Sequence, residues 1–416
     1  MPPTQLLHIQ RAQPMPPLAI HAYTATTALG RGRAAQADAL WARRGGLRRN
    51  DFGDAVLDAW IGRVDGLEDA PLPTQFARWE CRNNRLAWLA LQQDDVLDAL
   101  AVVRERYGAE RVALVLGTST ASIGETEQAY AQLQTGADGS AQFSEAMQRP
   151  VVHTLHSLCD FVRQATGLRG PCVTVATACS SSAKVFAQAA RLIEAGLADA
   201  ALVGGVDTLC GSVLYGFNSL GLVSAQACRP FDAARDGLSL GEAGGFAVLE
   251  RSHPANSGGD GNVQLRGYGE SSDAHHMSTP HPEGLGARLA MRDALVRAGI
   301  QADAVGYLNL HGTATPANDA VEARAVAALF PDTLHASSTK GWTGHTLGAA
   351  GIVESIFALI ALQDGLLPGT LNSRDPDAAC GPQIRFDNAD RVIRYAMNNS
   401  FGFGGNNCSL VFGRAA

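Results

Sequence analysis

Val173-Thr-Val-Ala-Thr-Ala-Cys179-Ser-Ser-Ser-Ala-Lys-Val-Phe-Ala-Gln-Ala-Ala-Arg191 runs from β-branched residues through a cysteine and three serines into an alanine-rich stretch. The spacing predicts a buried strand ending near Ala176, and Ser180 to Ser182 supply N-cap chemistry. A helix then continues to about Gly196, a residue suited to a C-cap. The same alternation extends outward in both directions. Val112–Leu116, Ala201–Val206, Phe246–Glu250, Val305–Leu310 and Cys408–Phe412 read as strands, and Lys184–Ala195 and Gly286–Ala298 as helices. Strands alternating with helices indicate an α/β architecture with largely parallel sheets. Ser252–Gly261 (SHPANSGGDG) reads as a linker, separating a longer first half from a shorter second.

The chain has 416 residues, 46% apolar and 18% charged, which suffices for a substantial core and argues against disorder. A net charge of −7 disfavours a general nucleic-acid binder. No Walker A or GxGxxG pattern supports nucleotide chemistry. The eight cysteines form no CxxC pair, so neither a disulfide framework nor a zinc site is expected, and a reducing, cytoplasmic setting fits. The opening MPPTQLLHIQRAQP lacks a continuous apolar region of the signal-peptide kind, and Met15 is an alternative start to Met1. Gly351–Leu362 is short for a bilayer span and contains Glu354, so it reads as a buried core helix and no membrane is expected.

Cys179 falls at the strand-to-helix turn. Unpaired N–H groups and the helix dipole there favour a thiolate, so a lowered thiol pKa is expected. The ordinary role of a cysteine, a small buried hydrophobe, is the competing reading. Two further segments raise the stakes. Asn309-Leu-His311-Gly-Thr-Ala-Thr-Pro-Ala-Asn-Asp319-Ala-Val-Glu322 places His311 just past a strand end. Ser338-Thr-Lys340-Gly-Trp-Thr-Gly-His345-Thr-Leu-Gly-Ala-Ala-Gly-Ile-Val-Glu354 places His345 at the start of a helix whose small residues allow close packing. A thiolate can attack a thioester and store its acyl group, and two imidazoles can hydrogen-bond a developing enolate oxygen. The two positions lack HxxxH or acidic spacing, so no metal is expected. In Asn398-Asn-Ser-Phe401-Gly-Phe403-Gly-Gly-Asn-Asn407, alternating Phe and Gly lets a backbone N–H face a ligand while a ring acts as a lid. With the Cys179 N–H, that of Phe403 would form an oxyanion hole.

Together ATACSSS, RPFDAARDG, SSDAHHMSTP, HGTATPANDAVEA, STKGWTGHTLGAAG and NSFGFGG resemble the β-ketoacyl-acyl carrier protein synthases of the I/II type, in the thiolase-like superfamily, from about Leu18 to Phe412. The resemblance implies a five-layer α-β-α-β-α sandwich of two similar halves, over residues 17–251 and 262–416. It implies that Cys179 is the acylated nucleophile and that His311 and His345 promote malonyl decarboxylation. Lys340 would pair with Glu354, supported by Asp319 and Glu322. Thr313 and Thr315 would contact the pantetheine arm, and Phe217 and Phe403 would line the acyl site, Phe403 as a gate. The implied partners are acyl carrier protein and an identical or related subunit. No cofactor is implied beyond the phosphopantetheine carried by that protein. Arg78, Arg82 and Arg85, read as one helix face, match the basic patch that docks it. Asn406, Leu238 and Ala243 depart from the common pattern. GGNN, with Gly216-Phe-Asn-Ser-Leu-Gly-Leu-Val-Ser, is similar to ketosynthases of bacterial aryl polyene pigment clusters. Two rival roles are a non-catalytic chain-length subunit, which usually lacks the cysteine, and a thiolase, which carries a second catalytic cysteine near its C-terminus. Cys408 lies instead in a strand-like run.

Overall fold

Alternation with a period of two runs along Val112–Gly117: Ala113 and Val115 point into one hydrophobic cluster, Leu114 and Leu116 into another. A strand buried on both faces belongs inside a layered stack. The computed structural model describes residues 12–53, 57–252 and 263–415. The strands of the first half are β1 (Leu18–Thr27), β2 (Val112–Gly117), β3 (Cys172–Val175), β4 (Ala200–Asp207) and β5 (Ala243–Arg251). Those of the second are β6 (Val263–Ser272), β7 (Val305–Asn309), β8 (His335–Ser337), β9 (Tyr395–Gly402) and β10 (Asn406–Arg414).

The halves share one topology. Their strand orders are β3-β2-β4-β5-β1 and β8-β7-β9-β10-β6. In each, the third, second and fourth strands are parallel, and the fifth runs antiparallel to both the fourth and the first. Each first strand carries a bulge, at Ile20/Ala22 and at Leu265/Gly267. β1 and β6 also pair with each other over Leu18–Ile20, joining the sheets edge to edge.

Helices fill the other layers: α1 (Arg82–Leu91), α2 (Val96–Tyr107), α3 (Ser157–Thr166), α4 (Ser181–Glu194), α5 (Gly211–Ser219), α6 (Leu285–Ala298), α7 (Pro316–Ala327) and α8 (Ala350–Asp364). Phe186 of α4 and Phe357 of α8 share a cluster with Val203 and Leu249 of the first sheet and with Leu410 and Phe412 of the second. The outer face of the first sheet packs on Leu86, Leu100 and Phe161. That of the second packs on Met291 and Val326. The layers are therefore α-β-α-β-α, as the resemblance implies.

α8 is buried on every side from Ala350 to Leu362, the pattern of a helix enclosed by other elements. Leu347–Asp364, longer than the expected apolar run, is apolar enough to cross a membrane, yet 89% of it lies buried inside the protein. The contact between α4 and α8 is made by backbones. A Cβ on Gly351 would lie 2.3 Å from the Ala183 nitrogen. Beside it, the Ile352 N–H donates to Ser182 Oγ at 2.9 Å.

Four sequence expectations need correction. The sheets are mixed rather than largely parallel, because the fifth strand of each half runs antiparallel to its neighbours. α8 does not begin at His345. Gly344 (φ +75°) breaks the chain after a four-residue helix, Leu347 (φ +57°) turns it again, and the α-helix starts at Ala350. Ser180 occupies the N-cap position of α4, but its hydroxyl donates to the Thr177 carbonyl instead of accepting an N–H. Finally, α1 starts at Arg82, so Arg78 lies in the preceding turn Thr74–Trp79 and the three arginines do not share one helix. The linker reading, apart from Ser252, and Met1 fall outside the described residues, whereas the Met15 N–H bonds the Arg297 carbonyl at 2.9 Å.

Gly351→Ala is expected to force α4 and α8 apart and to cost about 1–3 kcal/mol, the usual range for overpacking. A loss of apparent Tm on thermal unfolding reads this out, and an unchanged Tm would show that the contact relaxes without cost.

Candidate active site

The turn between β3 and α4 is tight. Ala178, a non-glycine residue, sits at φ +52°. Ser181 Oγ fixes it by accepting the Thr177 N–H (2.9 Å) and donating to the Ala178 carbonyl (2.5 Å). Such backbone strain persists only where surrounding contacts over-determine it, and it concentrates at functional sites. Cys179, 5% exposed, follows at once. Its Sγ lies 3.0 Å from His345 Nε2, and the backbone N–H of Phe403 favours its charged form. Gly402 packs against this turn, where a Cβ would come 2.8 Å from the Thr177 carbonyl.

The expected lowering of the thiol pKa is not what this environment produces. Burial pushes Cys179 up to about 11, and the pull of Lys340 and of the Phe403 N–H only partly offsets it. The resting group is a thiol, and its proton has an acceptor at hydrogen-bond distance in His345. Both imidazoles are neutral. Burial drives His311 and His345 well below the usual histidine range, reinforced by the positive charge of Lys340.

Lys340 organises His311. It is 1% exposed, forms an ion pair with Glu354, donates to the His311 carbonyl at 2.5 Å and lies 3.4 Å from His311 Nδ1. An ammonium only donates, so Nδ1 is the acceptor and the ring proton sits on Nε2. Glu322 accepts the N–H groups of His311 (2.8 Å) and Gly312 (2.7 Å), while Asp319 accepts those of Phe231 (2.8 Å) and Ala314 (3.2 Å). Burial raises both carboxyls, Glu322 to about 7 and Asp319 to about 6, and Glu354 also reaches about 7.

These groups open onto a cavity of about 410 Å³. Cys179, His311 and His345 line it, as do Thr313 and Thr315, whose hydroxyls lie 2.9 Å apart. Phe217 and Leu238 form part of the apolar wall. The Phe217 ring stacks on Phe403, with centroids 5.9 Å apart and planes 22° from parallel. Sequence reasoning missed Phe401, whose ring centroid lies 6.0 Å from that of His311. It also missed Asp273, which accepts Asn407 Nδ2 at 2.9 Å and ties the glycine loop to the segment after β6. The Phe-Gly alternation pointed to Phe401, but nothing local marked Asp273.

The arginines are a different matter. Arg82 pairs with Glu68 and with Glu242, whose side chain is fully buried, and Arg85 pairs with Glu80. Both serve the fold. Arg78 stacks on Trp79 at 4.5 Å. Cys408 is buried in the central cluster, away from the cavity lining. The spacing argument against a metal does not survive folding, since one ligand atom each from Cys179, His311 and His345 lies within 4.8 Å of the others. The Lys340 ammonium beside His311 opposes a cation there.

Comparison with known proteins identifies relatives of the chain. Models of the β-ketoacyl synthase N-terminal and C-terminal domains match residues 85–255 and 263–374. A mitochondrial 3-oxoacyl-[acyl-carrier-protein] synthase of Arabidopsis thaliana is 41% identical over 262 residues, 59% of this chain but only 57% of that protein. A 3-oxoacyl-[acyl-carrier-protein] synthase 2 of Staphylococcus aureus is 35% identical over 332 residues, 77% of this chain and 81% of the relative. Among solved structures, a ketosynthase in complex with its chain length factor from Xenorhabdus doucetiae superposes with a TM-score of 0.84 at 35% identity, covering 96% of this chain and 98% of that one.

Because the resting thiol is protonated, alkylation of Cys179 by iodoacetamide should accelerate about tenfold per pH unit from pH 7 to 9, following the thiolate fraction. Peptide mass spectrometry separates it from the other cysteines. A rate already flat at pH 7 would mean a thiolate at rest.

Proposed function

Because the chain belongs to the β-ketoacyl synthase family, we propose that it is a 3-oxoacyl-[acyl carrier protein] synthase acting by decarboxylative condensation. The observation that carries this reading is the Cys179 thiol at 3.0 Å from a neutral His345, facing the same cavity as a neutral His311.

In the first half-reaction the acyl thioester of a carrier-borne phosphopantetheine enters past Thr313 and Thr315. Cys179 attacks its carbonyl and gives its proton to His345. The N–H groups of Cys179 and Phe403 receive the oxyanion. The tetrahedral intermediate collapses, the pantetheine thiol leaves with the proton from His345, and the acyl group stays on sulfur. In the second half-reaction malonyl-carrier protein loses CO2. The electron pair of the broken bond becomes an enolate, formed beside His345, whose oxygen accepts from His311 Nε2–H. Its carbon attacks the acyl-enzyme carbonyl, the carbon–sulfur bond breaks to release a 3-oxoacyl chain two carbons longer, and the freed thiolate takes a proton from water to restore the cysteine. This scheme calls for no metal or organic cofactor. A reducing, cytoplasmic setting suits its eight unbridged cysteines.

A second subunit completes the assembly, either an identical chain or a related chain-length subunit. Two observations support it. β3 is the outer strand of its sheet among the described residues, and an open edge is a template for another strand. The Xenorhabdus doucetiae ketosynthase stands in complex with its chain length factor. The poised Cys179, His311 and His345 favour the catalytic over the chain-length role. The stacked Phe217 and Phe403 offer a flat face to a conjugated chain, which supports a polyene over a saturated substrate.

Incubation with an acyl-carrier protein should leave one acyl group on Cys179, detected as a mass increment on its peptide and lost in Cys179→Ser. No adduct across short, long, saturated and polyene acyl groups would sink the enzymatic reading. Carrier docking through the basic patch is tested best at Arg78. Arg78→Glu should weaken carrier binding most at low salt, and an unchanged Kd would remove Arg78 from the docking site. Arg82→Glu is uninformative there, because an unpaired Glu242 would cost about 3–5 kcal/mol of stability.

A further inference from the structure

Asp207, the last residue of β4, is fully buried and takes no part in the scheme above. Its carboxylate nevertheless collects six donors. Oδ1 accepts Thr118 Oγ1 (2.5 Å), the Thr120 N–H (3.2 Å) and Thr120 Oγ1 (3.2 Å). Oδ2 accepts the Ser119 N–H (2.8 Å), Ser119 Oγ (2.6 Å) and the Gly348 N–H (2.7 Å). The first five come from the loop after β2, in the half that carries the nucleophile. The sixth comes from the other half, three residues beyond His345. A buried carboxylate is retained only where donors replace its hydration, and here they bind two separate segments into one unit.

The contact is specified from both sides. A Cβ on Gly348 would lie 2.6 Å from Asp207 Oδ2 and 2.5 Å from the Ser119 nitrogen, so only glycine lets the backbone approach. The preceding Leu347 is held at φ +57°, which L residues rarely adopt. Ahead of it, the His345 N–H and carbonyl bond Ser239 and Gly241 of the first half, at 2.7 and 2.9 Å. His345 is thus pinned on one side by the Ser239–Gly241 segment and on the other by Asp207.

We propose that Asp207 is a positioning residue, which clamps the His345 turn to the nucleophile half and so sets the distance from His345 to Cys179. The proposal rests on the acyl-transfer reading for its kinetic consequence. It carries an electrostatic signature as well. The charged or titratable groups that bear on Cys179 are Lys340, Glu354, His311, His345 and Asp207, and the Asp207 anion disfavours the thiolate.

Asp207→Asn keeps the shape, removes the charge and replaces one acceptor by an NH2 group. Single-turnover acylation of Cys179 should fall about 10- to 100-fold, the scale set by a misplacement near 1 Å, with the half-saturating carrier concentration unchanged. Iodoacetamide alkylation should shift to lower pH. Gly348→Ala, which breaks the contact but keeps the charge, should slow acylation without that downward shift, and it serves if the asparagine variant fails to fold. Wild-type acylation in both variants, a loss confined to half-saturation, or an unmoved alkylation profile in folded Asp207→Asn would overturn the proposal. Alkylation needs no acyl substrate, so its outcome stands apart from the acyl-transfer reading.

Discussion

Two helix backbones meet at Gly351 and Ala183, and the rest of the site depends on that approach. No side chain separates α4 from α8 there, and the Ile352 N–H reaches across to Ser182. α4 follows Cys179 by two residues, and α8 follows His345 by five. Bringing the helix starts together therefore brings the sulfur and the imidazole together. A side chain larger than hydrogen at 351 would separate the helices, and the 3.0 Å contact between Cys179 and His345 would open with them.

Around this contact the site is buried, and burial decides the charge on each group. The thiol keeps its proton, and the imidazoles refuse one. Lys340 supplies the positive charge, compensated by Glu354. A low-dielectric cavity lined by neutral donors is suited to negative charge that exists only briefly, because the donors need no reorganisation when it appears. The carboxylates of Glu322 and Asp319 act one step further out, holding the His311 segment by its own N–H groups.

Much of this was legible in short segments, because glycines and strand ends are local signals. The β3–Cys179–α4 unit and His311 lie where their own neighbours in sequence put them, whereas the Lys340–Glu354 pair came only with the family resemblance. What escaped was set by distant residues. The dipole argument at Cys179 was sound for an exposed helix start, yet the wall that buries it comes from other parts of the chain. Arg82 read as a surface charge because its partner, Glu242, stands 160 residues away. The helix carrying His345 was drawn too long, since the turns at Gly344 and Leu347 are imposed by contacts with the first half. The shared topology of the halves was invisible in composition and spacing. It resides in strand pairing and leaves no short repeat.

That shared topology has an evolutionary consequence. Cys179 and His345 occupy equivalent places, each between the third strand of its half and a central helix, so the two halves have divided the labour of one site. The turn at Cys179 is shaped by serine hydroxyls and backbone, and its contour does not rely on the sulfur. A duplicated gene could therefore exchange that single codon and retain the scaffold while abandoning chemistry. A catalyst and an inert sibling of the same shape lie one substitution apart.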